Sequence, residues 1–250
     1  ARRCVKRAGV DAFSLYAETG AAAKANTGFD RTSYIFTATN EIDKNLDILL
    51  SFVGHPYFSK ETVEKEQGII GQEIKMYEDN ADLRAVFGLL EGLYHAHPVR
   101  DEIVGTVETI AEITPEMLYA CTAAFYSPSN MALCAAGDIT MEQLERAVER
   151  ANLPAEKTQP VKRLFPQEKP GVEKAFTSFS MPVSMPIFGL GFKDKPPVGD
   201  TTKPEVVCDM LTEMICAATS ALDRPPHDGG LGHPGFVGEC GSSVECPCRR

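Results

Sequence analysis

The amino-acid sequence predicts an α+β domain followed by the start of a second, similar one. Three observations carry that reading. Apolar residues recur at helical spacing through most of residues 10–152. Two stretches, residues 32–39 and 131–136, have the composition of strands instead. Residues 153–171 then carry four prolines and several lysines without periodicity, the composition of a linker. The chain therefore divides into a first domain over residues 1–152, a linker over 153–171 and the beginning of a second domain over 172–250.

Taken in order, residues 10–19 form a short amphipathic helix closed by Gly20. Residues 20–30 are small and read as flexible. Residues 32–39, TSYIFTAT, alternate Tyr34, Phe36 and Ala38 with Ser33, Ile35 and Thr37, as a strand with one packed face does. Residues 42–53 place Leu46, Leu49, Leu50 and Val53 on one helix face, and Gly54-His55-Pro56 ends that helix. A long helix over residues 59–77 follows, capped by Ser59. Val86, Phe87, Leu90 and Leu93 predict another over 83–94, then a loop over 95–105. Thr114 and Pro115 are the N-cap and first residue of a helix whose apolar side is Met117, Leu118, Cys121 and Phe125. Residues 131–136 read as a buried strand. Thr140 with Gln143 is a capping box for a helix through Asn152. Beyond the linker, residues 175–192 read as extended, broken by Pro182 and Pro186, and 203–222 as a helix. From Asp223 onward periodicity is lost. No site is placed there, since His233, Cys240, Cys246 and Cys248 have no structural zinc spacing.

With 43% hydrophobic and 24% charged residues the chain has the composition of a globular protein with a sizeable core. Its net charge of −10 argues against a nucleic-acid partner. No apolar run approaches the roughly 18 residues of a membrane span, so no membrane partner is expected. Cys121, Cys134, Cys208 and Cys216 lie inside apolar periodic segments, where a free thiol behaves as a small hydrophobe. A reducing compartment, the cytoplasm, is the expectation.

The helix over residues 59–77 holds the main anomaly. Val63, Ile70, Ile74 and Tyr77 form its apolar stripe, with Ile69 at the margin. Glu64, Lys65, Gln72 and Lys75 fall on the opposite side. Glu66 and Glu73, seven residues apart, are nearly eclipsed and project toward the packed arc between Ile69 and Ile70. Charges facing a core must be paired, hydrogen-bonded or bound to a metal. On periodicity alone, ion pairs with Arg or Lys of another helix and a metal site both remain open.

The blocks T-x-Y-x-F, H-P-Y-F, V-E-K-E-Q-G-I-I-G-Q-E-I-K-M-Y, H-P-V-R, G-T-V-E-T-I, I-T-P-E-M-L-Y and F-Y-S-P-S-N-M follow one another over roughly residues 10–150. In that order they resemble the insulinase/pitrilysin family of zinc metallopeptidases, the inverzincins, and within it the bacterial processing-protease-like members. The resemblance implies a half-domain with a two-layer mixed sheet, helices on one face and an incomplete second half. It implies zinc as cofactor and a peptide or unfolded segment as substrate. It implies further that Glu73 is a zinc ligand and that Glu66 supports a ligand histidine. A second half-domain or a homologous partner subunit would complete the chamber.

Two departures limit this. No H-x-x-E-H occurs, and His55, His95, His97, His227 and His233 include no pair with that spacing. The chain is accordingly expected to begin after its catalytic motif, to lack a general base and to be inactive alone. The family's Asn in G-A-x-x-N-A-x-T is Lys24 here, and Asn26 is not an obvious substitute. His97, followed by Pro98, matches a family loop near the cleft and is the candidate substrate-binding residue. His55 reads as a helix-terminus residue and His95 as part of a polar loop. The alternative function is a non-catalytic homologue that serves as partner subunit or accessory processing factor.

Overall fold

The computed structural model describes residues 6–7, 10–154, 161–162, 164, 166–193, 202–216, 240–241 and 248–249. Its architecture is α+β. The elements are β1 (Lys6–Arg7), β2 (Val10–Asp11), α1 (Ala12–Glu18), β3 (Ala22–Thr27), β4 (Thr32–Thr37), α2 (Ile42–Gly54), α3 (Lys60–Glu78) and α4 (Ala81–Leu93). After them come α5 (Val107–Ala111), α6 (Pro115–Phe125), α7 (Met141–Ala151), β5 (Phe192–Lys193), α8 (Thr202–Cys216), β6 (Cys240–Gly241) and β7 (Cys248–Arg249). The ladders between described strands are antiparallel: β1 with β2, β3 with β4, and β7 between β5 and β6. No described helix is long and apolar enough to cross a membrane. The chain forms two compact units, Ala1–Met76 with Ile103–Leu164, and Tyr77–Glu102 with Phe165–Arg250.

The first unit is built around α2. The β3–β4 hairpin, in register from Ala22 opposite Thr37 to Thr27 opposite Thr32, turns Tyr34 and Phe36 inward and leaves Ile35 exposed. That is the alternation its sequence predicts. Phe36 packs with Leu46, Leu50 and Ala147, so one side of α2 meets both the hairpin and α7. Tyr34 meets Phe52 edge-on and shares a 2.8 Å hydroxyl bond with Tyr126. Leu49 and Val53 are only half-buried, whereas Ile48 and Phe52 are buried. The helix is thus covered on a wider arc than a single stripe. The capping box of Thr140 and Gln143 starts α7, and Thr114 with Pro115 starts α6, both as their residues predict.

The same unit fixes α3. The Ser59 hydroxyl accepts the Thr62 N–H at 3.2 Å, and Thr62 Oγ1 accepts the Ser59 N–H at 3.0 Å, a reciprocal cap. Val63 and Ile74 are buried, and Val63 joins Phe52 and Phe58 in one cluster. Gln67 then sets the rotation of the helix. Its side-chain amide donates to the carbonyls of Ile110 at 3.1 Å, Ala111 at 3.3 Å and Ile113 at 2.9 Å, the frayed end of α5. Carbonyls at a helix C-terminus run out of partners along the helix, and this amide adds a donor there; the Ile110 carbonyl also accepts the Ile113 N–H at 3.2 Å.

In the second unit an extended segment lies along α4. Lys174 N–H donates to the Gly92 carbonyl at 2.9 Å, and the Thr177 hydroxyl to the Gly88 carbonyl at 3.3 Å. Such an approach needs helix positions without a Cβ. One built at Gly88 would sit 2.7 Å from the Phe179 ring, and one at Gly92 would sit 3.3 Å from the Lys174 carbonyl. Arg84 covers the Phe179 ring from 5.4 Å. Leu90, Leu93, Tyr94 and Val99 form the buried cluster. At its end one carboxylate gathers four donors. Glu168 accepts the N–H groups of His95 at 2.8 Å, Ala96 at 2.9 Å and His97 at 2.8 Å, and Lys193 Nζ at 2.6 Å.

Several expectations are corrected. Residues 20–30 hold β3, because Ala22–Thr27 gains a full ladder from β4 whatever its own weak strand propensity. Residues 131–136 are not a buried strand. They form no ladder, and Leu133, Cys134 and their neighbours are exposed, because the hairpin pairs only with itself among the described strands. On α6, Met117, Cys121 and Phe125 are exposed. The inward face runs through Leu118, Thr122 and Tyr126, and Tyr119 accepts the Phe58 N–H on its hydroxyl at 2.9 Å. The free thiols of Cys121 and Cys134 are therefore not core hydrophobes, and Cys208, buried on α8, is disulfide-bonded. Val206, Val207, Met210 and Met214 on the same helix are exposed. Residues 217–222 of that expected helix, and His227 and His233, lie outside the described residues. The aperiodic tail contributes β6 and β7.

Two predictions follow from these contacts. Replacing Gln67 with Ala should lower unfolding free energy by about 0.5–1.5 kcal/mol, since it removes a side-chain donor from partly exposed carbonyls at the end of α5; urea denaturation measures it. Glu168 should make acid stability window-dependent. Burial opposes its ionisation, but Lys193 and the three N–H groups outweigh that and hold its pKa down at about 2 from an ordinary 4.5. A depressed carboxylate stabilises the fold above its unfolded value, and the gain is lost as pH falls through the folded one. The stability advantage of the wild type over Glu168→Gln should therefore shrink between pH 4.5 and 2. Its size should be on the order of 1–2 kcal/mol, after allowance for solvent at the carboxyl's open side. An advantage that stays constant across that window would contradict the assignment.

Candidate functional site

The two anomalous acids sit where the helix geometry places them. Val63 and Ile74 are the buried residues of α3, and Gln67 ties the same side of the helix to the end of α5. Glu66 and Glu73 flank this packed side and are both half-buried. Glu64, Lys65, Gln72 and Lys75 are all exposed. A single face of one helix thus presents two carboxylates two turns apart, each partly withdrawn from water. Carboxylate oxygens are good donors to zinc, and a pair on one face can divide the work, one holding the ion and the other orienting a neighbouring ligand.

The donor set stops there. A catalytic zinc needs three side-chain donors with an open fourth position. Among the described residues no group of three or more His, Cys, Asp and Glu side chains converges. Glu73 and Glu66 are carboxylates of the kind a zinc site uses, two turns apart on one helix, and the chain's described residues do not make up a complete metal site.

The described histidines have other engagements. His55 closes α2, its N–H donating to the Ser51 carbonyl at 2.9 Å and its Nε2 lying 3.0 Å from the Ala151 carbonyl oxygen. His95 pairs through Nδ1 with Glu173, and its carbonyl accepts from Arg100. His97 is only 7% exposed. Its Nδ1 accepts the Val99 N–H at 3.1 Å and its ring packs against Tyr94. His95 and His97 are therefore committed to different partners, as parts of one turn. Lys24 lies on β3, exposed on the same face as Asn26.

Two residues that shape these surroundings escaped the sequence. Gln67 sits among polar residues of α3 and has no motif. Glu168 lies in the proline-rich stretch read as a linker, and only its fold contacts reveal the role. Nothing local in either stretch would have identified them.

Comparison with known proteins agrees with this architecture. Residues 5–107 match the family model of insulinase, peptidase family M16, and residues 112–222 match that of the peptidase M16 inactive domain. An uncharacterized zinc protease of Bacillus subtilis, YmfH, is 39% identical over 230 residues, which is 90% of this chain and 54% of that protein. A mitochondrial-processing peptidase subunit beta of Schizosaccharomyces pombe is 28% identical over 137 residues, 30% of its own length. The crystal structure of an M16-like peptidase from Alicyclobacillus acidocaldarius superposes with a TM-score of 0.88 at 33% identity, covering 98% of this chain and 59% of that one. The chain spans little more than half the length of YmfH and of the Alicyclobacillus peptidase. With most of its length matched by two models of one peptidase group, in the order expected of the fold, the chain belongs to the insulinase family, peptidase family M16.

Proposed function

We propose that this chain serves a zinc-dependent endopeptidase that cuts peptides or unfolded segments, with Glu73 as one metal ligand and Glu66 supporting a histidine ligand. The remaining ligands and the general base would come from an H-x-x-E-H segment outside the chain. The observation that carries the proposal is the half-burial of both glutamates on one face of α3 while the charged residues around them are exposed. Zinc would supply Lewis acidity and an activated water. The chain's own part is to hold Glu73 at a fixed rotation through the cap at Ser59, the burial of Val63 and Ile74, and the Gln67 tie. His97 would serve the substrate side through the turn it stabilises, since its ring is buried.

A second reading is a non-catalytic homologue acting as partner subunit or accessory factor. It is favoured by the match of residues 112–222 to a model named for an inactive domain. A cytoplasmic location belongs to the main proposal. The free thiols of Cys121 and Cys134 support it, and the bonded Cys208 weighs against it.

Metal analysis separates the two functions. The chain alone should bind well under one equivalent of zinc and cleave no peptide; tight stoichiometric zinc would refute the proposed ligand set. In a protein that includes an H-x-x-E-H segment, Glu73→Gln should abolish zinc binding and peptidase activity together. Glu66→Gln should weaken zinc by about 10–100-fold. Unchanged zinc content in Glu73→Gln, or the lack of any such segment, would leave the partner-subunit reading. Location is tested by alkylating thiols in intact cells before lysis. With a membrane-impermeant maleimide the exposed Cys121 and Cys134 should stay unmodified in a cytoplasmic protein until lysis, and their labelling in intact cells would overturn that placement.

A further inference from the structure

We infer that residues 168–193 act as a strap joining the two family-matched stretches of the chain, with Glu168 and Lys193 as its latch. The α4 helix and the turn at His95 to His97 belong to the stretch matched as peptidase, whereas Glu168, Lys174, Thr177, Phe179 and Lys193 belong to the stretch matched as inactive domain. They nevertheless pack as one compact unit.

The strap forms no ladder with α4. It is held at separate points: the main-chain bond from Lys174 to Gly92, the Thr177 bond to Gly88, the Phe179 ring on Gly88, and the Lys174–Glu91 pair at 3.0 Å. Contacts of this kind are individually weak and release at low cost unless something closes them together. Lys193 does so. Its ammonium reaches back to Glu168 at 2.6 Å, the Lys169 carbonyl at 2.9 Å and the Gly171 carbonyl at 2.8 Å, so the end of the strap is pinned to its own beginning. Lys193 also lies over the Tyr94 ring at 5.0 Å. Glu168 in turn holds the N–H groups of three successive residues, which leaves the turn unable to move without vacating all of them. The charged groups facing the latch are already engaged, His95 with Glu173 and Arg100 with the His95 carbonyl. The glycine groove and the latch therefore open and close as one element. The inference rests on these contacts and the family match, and not on the proposed zinc chemistry.

Amide hydrogen exchange of the 250-residue chain tests it, because the groove and the latch can be disturbed separately. Gly88→Ala forces a Cβ against Phe179, away from the latch. It should speed exchange at His95, Ala96 and His97 as well as at Lys174, each by roughly tenfold or more. Glu168→Gln should speed exchange at Lys174 to a similar degree. Amides of α2 and α7, in the other unit, should keep their wild-type rates. If Glu168→Gln does not fold, Lys193→Met replaces it, with the same expectation at Lys174. Gly88→Ala that loosens Lys174 alone, or a latch variant that leaves Lys174 protected, would reduce the strap to independent contacts and overturn the proposal.

Discussion

A carboxylate drawn out of water must recover its hydrogen bonds from the protein, and this requirement shapes both units. At Glu168 it is met in full: three backbone N–H groups and one ammonium surround a single side chain, and the ionised form wins despite burial. The local backbone is organised to satisfy it. Glu66 and Glu73 are half-buried, as Glu168 is, but on the face of a helix rather than against the N–H groups of a turn. The first arrangement holds a turn together, whereas binding is the role proposed for the second. The same chemical group serves both ends because its surroundings differ.

What could be read beforehand were the features encoded within a few residues. The caps at Ser59, Thr114 and Thr140 depend on side chains reaching their own helix starts, and the alternation of Tyr34 and Phe36 depends on a period of two. The two-turn spacing of Glu66 and Glu73 is equally local, and their half-burial agrees with it. Features that depend on distant partners were hidden. Ala22–Thr27 becomes a strand only because β4 pairs with it. The inward face of α6 is chosen by Tyr119 and Tyr126 finding partners at Phe58 and Tyr34, which pulls Met117 and Phe125 outward. The role of Glu168 was hidden because nothing in a stretch rich in proline and lysine states that a turn more than seventy residues earlier will offer it three donors.

The family relationship acquires a mechanical side. Two models of one peptidase group meet within this chain, yet the boundary between them is not where its packing divides, since α4 and its turn join the residues from Phe165 on. Gly88 and Gly92 explain why: a helix with two missing Cβ atoms on one face accepts a chain against its backbone. The face is specialised for a particular neighbour, and that neighbour comes from the other matched stretch.

Residues 131–136, MALCAA, have a further consequence for handling the protein. They carry no charge, no proline and no glycine, they are mostly exposed, and their backbone enters no ladder. Unpaired backbone flanked by apolar side chains is a template for strand pairing between molecules. The net charge of −10 holds copies apart at low ionic strength. Salt that screens this repulsion lowers the barrier, so concentrating the chain in high-salt buffer is expected to bring copies together at this exposed apolar stretch. A single acidic side chain in place of Leu133 would act there as a gatekeeper.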